Sequence, residues 1–199
     1  MTLFYAMLKP VTYTFRLWFP LKIIHRERIP RHGPVMVYAN HRIWYDVVPV
    51  AHATRRQIYF ISKVENFKVP FFAWLLKQLG CFPVRRDSAD MPAFRKAFGV
   101  LRDNKVLGIF PEGTRNRTDT RFQDFHEGAA MFALGTGAVV VPIYLSEFRA
   151  FRRSHIMVGK PLDLSAYEGK RANKAAMEAV TQQMFDALVE IADECEAAK

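Results

Sequence analysis

The sequence predicts an α/β fold, a single domain with a mostly parallel central sheet flanked by helices, preceded by an amino-terminal amphipathic helical segment. From residue 21 onward, short apolar runs alternate with stretches of helical periodicity, which is the pattern of a parallel sheet with crossover helices. The chain has 199 residues and half of them are apolar, enough for one domain with a sizeable core. No internal repeat or linker is visible. We therefore place the domain at residues 21–199 and an appendage at residues 1–20.

The apolar runs and the periodic stretches locate the elements in order. Strands are predicted at residues 22–26, 35–39, 58–62, 81–84, 106–110, 139–145 and 155–158. Helices are predicted at residues 45–53, 69–78, 91–102, 128–135 and 173–197. In the last helix, apolar side chains recur at steps of three and four residues and should pack on the domain; they are Met177, Val180, Met184, Leu188, Ile191 and Cys195.

Composition narrows the class of protein. The net charge of +10 and the pI near 9.8 predict attraction to a polyanion, which could be nucleic acid, an anionic membrane surface or a phosphorylated cofactor. Cys81 and Cys195 lack zinc-site spacing and are too few for a disulfide framework, which fits a reducing cytosol. No signal peptide is evident, so we expect the chain to stay inside the cell. The histidines show no metal-ligand spacing, and we expect no catalytic metal.

One histidine stands out because it directly follows a predicted strand. The apolar run Val35–Ala39 ends in Asn-His-Arg-Ile-Trp-Tyr-Asp, so that His41 leaves the strand and Asp46 follows five positions later. Across a turn, the carboxylate can accept a hydrogen bond from the imidazole Nδ1–H and leave Nε2 free to take a proton. The pattern therefore predicts a base and its orienting group. The alternative is that each side chain merely satisfies a backbone group near a helix start.

A second polar block follows the predicted strand at residues 106–110. Its sequence is Pro-Glu-Gly-Thr-Arg-Asn-Arg, with one carboxylate, at Glu112, and two guanidinium groups, at Arg115 and Arg117. An arginine fork suits the bidentate capture of a phosphate, and Gly113 lets backbone N–H groups approach it closely. In open α/β sheets, ligands bind beyond the carboxyl ends of the strands, so this block and His41 can face one cleft.

These two blocks, Asn-His-(four residues)-Asp and Phe-Pro-Glu-Gly-Thr-Arg, together resemble the glycerolipid acyltransferase superfamily, and most closely its 1-acylglycerol-3-phosphate acyltransferases. Two further blocks extend the likeness in the same order: Gly-Cys-Phe-Pro-Val-Arg-Arg at residues 80–86 and Val-Val-Pro-Ile-Tyr at residues 140–144. A Gly-Lys-Pro sequence at residues 159–161 continues it. The resemblance thus covers about residues 34–145 and adds a function to the predicted fold.

The resemblance implies acyl transfer from an acyl thioester, acyl-CoA or acyl-carrier protein, to the free hydroxyl of lysophosphatidic acid, giving phosphatidic acid in phospholipid biosynthesis. An alcohol is a poor nucleophile at neutral pH, and His41 is placed to take its proton while Asp46 orients the imidazole. No protein nucleophile is then required, and the sequence has no Gly-x-Ser-x-Gly elbow. Beyond the thioester co-substrate, no cofactor is expected.

The resemblance also assigns cations to the acceptor's phosphate, namely Arg86 in the second block and Arg115 in the third, with Gly113 and Thr114 beside them. Glu112 lies in the same acceptor-binding block, where it could hold an arginine in position or accept a glycerol hydroxyl. Three further cations are possible helpers, each with a solvated or structural role as the alternative: Lys63, Arg85 and Arg117.

Two positions depart from the family pattern. Ile43 stands where the family usually carries serine, and His126 stands where it usually carries lysine. Neither change removes the base, its orienting group or the phosphate clamp, so they bear on substrate choice. Two alternatives stay open: the same chemistry on glycerol-3-phosphate or another lysolipid, and a non-catalytic basic module that binds membranes or nucleic acid. Without an RNA-binding signature or zinc-finger spacing, we expect no nucleic-acid partner.

The amino-terminal appendage is predicted to be amphipathic. At about 100° per residue, its apolar side chains form one stripe with Lys9 and Arg16 opposite, and Pro10 should bend it. The stripe comprises Leu3, Phe4, Met7, Leu8, Val11, Phe15, Trp18 and Phe19. A core helix is one interpretation. Aromatic enrichment and a lipid substrate favour a helix at an anionic membrane interface, on the cytoplasmic face, peripheral or monotopic, since basic residues interrupt any span.

Overall fold

A computed structural model describes residues 5–7, 10, 13–85, 90–148, 151–167 and 172–198. Its centre is a seven-stranded sheet. The strands are β1 (Leu21–Ile24), β2 (Val35–Ala39), β3 (Ile58–Lys63), β4 (Phe82–Val84), β5 (Val106–Ile109), β6 (Val139–Leu145) and β7 (Ser154–Val158). Each predicted strand is present, with ends that differ by at most two residues.

The strand order is β1-β7-β6-β2-β5-β3-β4. All neighbours run parallel except β6 and β7, which are antiparallel, so the prediction of a mostly parallel sheet is confirmed. Strand β2 lies between β5 and β6, and all five of its residues are buried. A strand covered on both faces needs apolar residues at every position, which explains the unbroken run that β2 shows.

Helices α1 (Phe15–Trp18), α2 (Val47–His52), α3 (Pro70–Gln78), α4 (Met91–Arg102), α5 (Gly128–Thr136) and α6 (Lys174–Ala197) accompany the sheet. Short 3₁₀ turns lie at Arg26–Arg28, Val64–Phe67 and Ser165–Tyr167. The five helices predicted in the domain are all present. Asp90 caps α4 and Asn173 caps α6, each accepting a hydrogen bond from the backbone N–H three residues on.

The two faces of the sheet carry separate halves of the core. On β2, Met36 and Tyr38 face one apolar cluster, while Val35, Val37 and Ala39 face the other. The first cluster includes the buried stripe of α6 from Val180 to Cys195, so the predicted packing face of that helix is confirmed. The Tyr38 hydroxyl also donates to the carbonyl of Met184 at 2.9 Å, which fixes the helix on the sheet.

The amino-terminal segment is described only in part. Tyr5 is buried and Tyr13 stacks on His52 with ring centroids 4.8 Å apart, whereas Met7 and Trp18 are exposed. Much of the predicted stripe lies outside the described residues, together with Lys9, and its amphipathic character stays a prediction. None of the helices formed by the described residues has the length and apolar character required to cross a membrane.

Candidate active site

The two blocks singled out in the sequence meet at one edge of the sheet. His41 follows β2, and Pro111 to Arg115 follow β5, its parallel neighbour. The carboxyl ends of adjacent parallel strands lie side by side, so contact between blocks seventy residues apart in sequence needs no long loop. The amide of Asn40, between β2 and His41, donates to the carbonyl of Leu145 and accepts from its N–H, tying this edge to β6 as well.

His41 and Asp46 form the predicted pair. The imidazole Nδ1 lies 2.9 Å from Asp46 Oδ2. The same oxygen accepts hydrogen bonds from the backbone N–H groups of Arg42, at 2.7 Å, and Ile43, at 2.8 Å. A carboxylate can only accept, so Nδ1 carries a proton, and in the neutral imidazole Nε2 then presents a lone pair. The Asp46 side chain is 2% exposed and that of His41 16%, which leaves the imidazole within reach of a ligand.

The peptide groups of His41 are held by the second block. The His41 N–H donates to Glu112 Oε1 at 2.8 Å, and the His41 carbonyl accepts from the N–H of Asn116 at 2.7 Å. Glu112 Oε2 accepts a further bond from the N–H of Gln123, at 3.0 Å. Hydrogen bonds at both ends of the residue leave the His41 backbone little freedom to rotate, so the histidine has a defined position.

Glu112 makes backbone contacts that the sequence did not predict. Both carboxylate oxygens accept hydrogen bonds from backbone N–H groups, and the residue is 2% exposed. Burial raises the pKa of Glu112 above its ordinary value, and the two backbone donors oppose that shift. These bonds indicate a positioning role for Glu112. Each carboxylate oxygen can accept a second hydrogen bond, so a contact with an arginine or a glycerol hydroxyl stays a prediction.

Aromatic rings support the imidazole from the side. Phe110 stacks on His41 with centroids 4.2 Å apart, and Phe60 from β3 stacks on Phe110 at 5.9 Å. Sequence reasoning included Asn40, Phe110 and Asn116 in its motif blocks but gave them no role. A signal existed for the first two, since each directly follows a buried strand at the edge where ligands bind. The backbone contact of Asn116 had no such signal.

The cations predicted to hold a phosphate are less defined. Arg115, Arg117 and Thr114 are exposed beside the block that holds His41. Lys63 lies at the end of β3, 47% exposed and 3.6 Å from Glu65. Arg85 is exposed after β4. Arg86 lies outside the described residues. The structure thus brings Arg115 and Arg117 to the edge that carries His41, and the contacts of all these cations with a phosphate stay predictions.

An apolar cavity of about 150 Å³ adjoins the site. Its lining includes Ile61, Val84, Phe94, Ile109, Phe110 and Phe132. Phe110 therefore has contact with both the cavity and the His41 ring. Gly113 and His126 also contribute to the wall. An apolar space of this kind, next to a base, can take a hydrocarbon group of a substrate.

The two departures from the family pattern have structural consequences. Ile43 is half-buried and packs on the apolar cluster that contains Val35 and Val37, so an apolar side chain satisfies this position. Gly113 has φ +67°, and a Cβ there would lie 2.5 Å from His126 Cδ2. Glycine favours this backbone conformation, and a larger residue here would also require the His126 ring to move.

Sheet and site together define an α/β protein in which an oriented imidazole, buried on one side and accessible on the other, lies at the carboxyl ends of parallel strands. Such a group can act as a general base. Residues 21–146 match the family model described as Acyltransferase, and the chain belongs to that family.

Similar proteins carry one activity in their names. The 1-acyl-sn-glycerol-3-phosphate acyltransferase of Bacillus subtilis is 25% identical over 174 residues, 82% of this chain and 86% of the relative. Those of Streptococcus pneumoniae and Borreliella burgdorferi are 28% and 32% identical over 79% and 69% of this chain. The chain spans 61% of the Streptococcus relative and 56% of the Borreliella relative, so these two proteins are considerably longer.

A solved structure supports the fold. The crystal structure of the 1-acyl-sn-glycerophosphate (LPA) acyltransferase PlsC from Thermotoga maritima superposes with a TM-score of 0.67. The match covers 94% of this chain and 78% of that one, at 20% sequence identity. The TM-score shows that the two proteins share an architecture, and at this identity the comparison extends to the fold alone.

Proposed function

We propose that the chain is a 1-acylglycerol-3-phosphate acyltransferase, which moves an acyl group from a thioester to the free hydroxyl of lysophosphatidic acid. One observation carries the proposal: the His41–Asp46 pair is held in place by Glu112 and Asn116 of the second family block. The names of the similar proteins favour the same acceptor. The product is phosphatidic acid, and the reaction belongs to phospholipid biosynthesis.

In the proposed reaction, Nε2 of His41 removes the proton of the acceptor hydroxyl as its oxygen attacks the thioester carbonyl. Asp46 stabilises the imidazolium that forms, through the bond from Nδ1. The tetrahedral intermediate collapses by breaking the carbon–sulfur bond, and the thiolate receives the proton from Nε2. The products are phosphatidic acid and a free thiol, and the imidazole returns to its starting form.

Acceptor binding is assigned to cations of the second and third family blocks. Arg115 and Arg86 would hold the phosphate, and Gly113 and Thr114 would bring backbone N–H groups near it. Lys63, Arg85 and Arg117 would add positive potential around the same edge. In support, Arg115 lies between Glu112 and Asn116, the two residues that hold the His41 backbone, so a phosphate bound there would present the nearby glycerol hydroxyl to His41.

The donor is an acyl-CoA or acyl-carrier protein thioester, with no further cofactor. The apolar cavity beside Phe110 supports a place for the hydrocarbon chain of a substrate, because its wall is also in contact with the base. Each CH₂ group buried there would contribute about 0.8 kcal/mol. The choice between the two carriers depends on contacts outside this cavity.

A membrane location follows from the substrates. We propose that the protein works at the cytoplasmic face of an anionic membrane, as a peripheral or monotopic enzyme, with residues 1–20 in the interface. The net charge of +10 supports attraction to anionic lipid. Nucleic acid is not proposed as a partner.

The proposal can be tested with purified protein, lysophosphatidic acid in detergent and an acyl-CoA, by following thiol release and product mass. Turnover that depends on both substrates is the expected result. A panel with glycerol-3-phosphate and other lysolipids, run alongside, would detect another acceptor. Repeating the assay with an acyl-carrier protein thioester distinguishes the donors. Thiol release that is independent of any acceptor would indicate a thioesterase and contradict the proposal.

A further inference from the structure

Large apolar side chains are exposed mainly at one edge of the sheet. Strands β2, β3 and β4 end at this edge, and the segments that follow them expose apolar groups. Strand β7 runs antiparallel to β6, so it begins at the edge where β6 ends. Strand β1 is parallel to β7 and begins at this edge too. Among the described residues from Leu17 onward, Val139 is the one exposed large apolar residue at the opposite edge.

The first part of this surface is on α3, which follows β3. We call it the α3 patch: Val69, Phe71, Phe72 and Trp74, between 48% and 66% exposed. The Phe71 ring lies 5.8 Å from that of Phe72 and 6.3 Å from that of Trp74, so the rings form one contiguous group. None of the nine residues of α3, all of them described, is buried. Burial of such a face requires a partner, because clustered exposed rings are unfavourable in water.

The second part, which we call the indole patch, comprises Trp18, Trp44 and Phe151, between 60% and 73% exposed. Trp18 and Phe151 lie 5.4 Å apart. Trp44 belongs to the loop between His41 and Asp46, and its ring lies 5.5 Å from that of Tyr45. Tyr45 is in turn 5.6 Å from Phe19, which directly follows Trp18 in the sequence. The indole patch is thus adjacent to the loop of the base.

The two patches flank the base in the plane of the sheet. In the strand order, Trp18 and Phe151 precede β1 and β7 on one side of β2, and α3 joins β3 to β4 on the other. Only β5 separates β2 from β3, so the α3 patch begins roughly 10 Å from the strand that ends in His41, given a spacing of about 4.8 Å between strands. An extended, nearly planar partner can cover both patches at once.

The chemistry of the surface favours lipid over protein. All three tryptophans of the chain lie in the two patches, and indole rings prefer the boundary between headgroups and hydrocarbon. Exposed cations adjoin the rings in sequence: Lys68 precedes the α3 patch, and Arg152 and Arg153 follow Phe151. Cations at this depth pair with anionic headgroups. A protein interface would more often carry its apolar groups in one central patch with a polar rim.

We infer that the α3 patch and the indole patch dock the protein on one leaflet of an anionic membrane, with the edge that carries His41 facing the lipid. Apart from Trp18, both patches lie outside residues 1–20, so docking through them would not depend on residues 1–17. The role of this docking in delivering a lysolipid to His41 rests on the proposed function, whereas the docking itself does not.

The test uses full-length protein and vesicles of phosphatidylcholine with phosphatidylglycerol. A triple variant, Phe71→Ser with Phe72→Ser and Trp74→Ser, should bind these vesicles at least tenfold more weakly in co-sedimentation, with an unchanged melting temperature because the side chains are exposed. Val139→Ser, an exposed apolar change at the opposite edge, is the matched control and should bind as the wild type does. Tryptophan emission of the wild type should shift to shorter wavelength on binding.

Activity measurements distinguish the docking inference from the proposed function. With acceptor in vesicles the triple variant should lose most activity, and with acceptor dispersed in detergent it should keep wild-type activity. A wild type that binds vesicles but transfers no acyl group would overturn the proposed function and leave the docking inference intact. The inference is contradicted if the triple variant binds vesicles normally, or if the substitutions instead convert a dimer into a monomer in light scattering, since a second copy would then be the partner.

Discussion

The base side of the candidate site, His41 with Asp46 and Glu112, is held by the fold, whereas the cationic side, with Arg115 and Arg117, is exposed to solvent. On the base side, two carboxylates accept hydrogen bonds from four backbone N–H groups and one imidazole. On the cationic side, Lys63 has a partner at 3.6 Å in Glu65, an exposed contact of the kind that contributes little.

This difference follows from what each side must do. Proton transfer requires the base within hydrogen-bonding distance of the hydroxyl, so its position must exist before the substrate arrives. An arginine can instead be ordered by the phosphate it binds, and the lost side-chain entropy, about 1.5–2 kcal/mol, is then offset by charge-assisted hydrogen bonds. Substitutions on the base side should therefore affect turnover, and those on the cationic side should affect acceptor binding.

The largest effect is expected from His41→Ala. Loss of the base should lower kcat by roughly two to four orders of magnitude, the usual contribution of a positioned general base. The variant should fold, because the backbone bonds to Glu112 and Asn116 do not use the imidazole. Steady-state assays with a thermal melt check both points. Near wild-type kcat in a folded variant would show that another group takes the proton.

Asp46→Asn is expected to lower kcat by roughly a hundredfold. The amide oxygen can take the place of Oδ2 and keep its hydrogen bonds, but a neutral amide no longer stabilises the imidazolium that forms when His41 takes the proton. KM for the acceptor should change little, because Asp46 is buried and faces the protein. Asp119→Asn, an exposed change after β5, is a suitable control. If the variant raised KM alone, Asp46 would be part of the acceptor site.

Arg115→Ala should raise KM for lysophosphatidic acid roughly tenfold to a hundredfold, as expected when a charge-assisted hydrogen bond worth about 1.5–3 kcal/mol is lost. Arg115→Lys should recover part of the loss, because an ammonium group keeps the charge without the bidentate geometry. KM for the donor should be unchanged. If Arg115→Ala instead raised only the KM for the acyl donor, the guanidinium would contact the thioester. The same comparison applies to Arg86.

Glu112→Gln should have the smallest catalytic effect, roughly a tenfold loss of kcat with little change in KM. The amide leaves one of the two N–H groups, that of His41 or that of Gln123, without an acceptor, which should cost about 1–3 kcal/mol of stability. Urea unfolding of the variant measures that cost. Unchanged kcat with reduced stability would restrict Glu112 to a structural role.

The pH dependence of that variant provides a second measurement. Burial raises the folded-state pKa of Glu112 above its ordinary value of 4.5, so the folded state holds this proton more tightly than the unfolded state. The stability of the wild type relative to Glu112→Gln should therefore increase as pH falls through the folded-state pKa towards 4.5. A relative stability that decreases in this window would mean that the backbone donors outweigh burial.

Much of this protein was determined by the sequence alone. The central strands β2 and β5 are apolar throughout, as in Val35–Ala39, because a strand covered on both faces excludes polar groups. The helices have a local period and local caps, so α4 and α6 could be placed within a residue or two. The His41–Asp46 pair was also predictable, since a turn of five residues determines it.

Tertiary structure alone decided the features that depend on distant segments. No local pattern indicates that β7 runs antiparallel to β6, or that Glu112 bonds to the His41 N–H seventy-one residues away. The apolar rings of α3 have the period of a buried helix face, and their exposure at the edge of the base depends on where the strands pair. The physical reason is that periodicity is a property of one segment, whereas pairing, burial and the contacts of a buried carboxylate are properties of several segments that only the folded chain brings together.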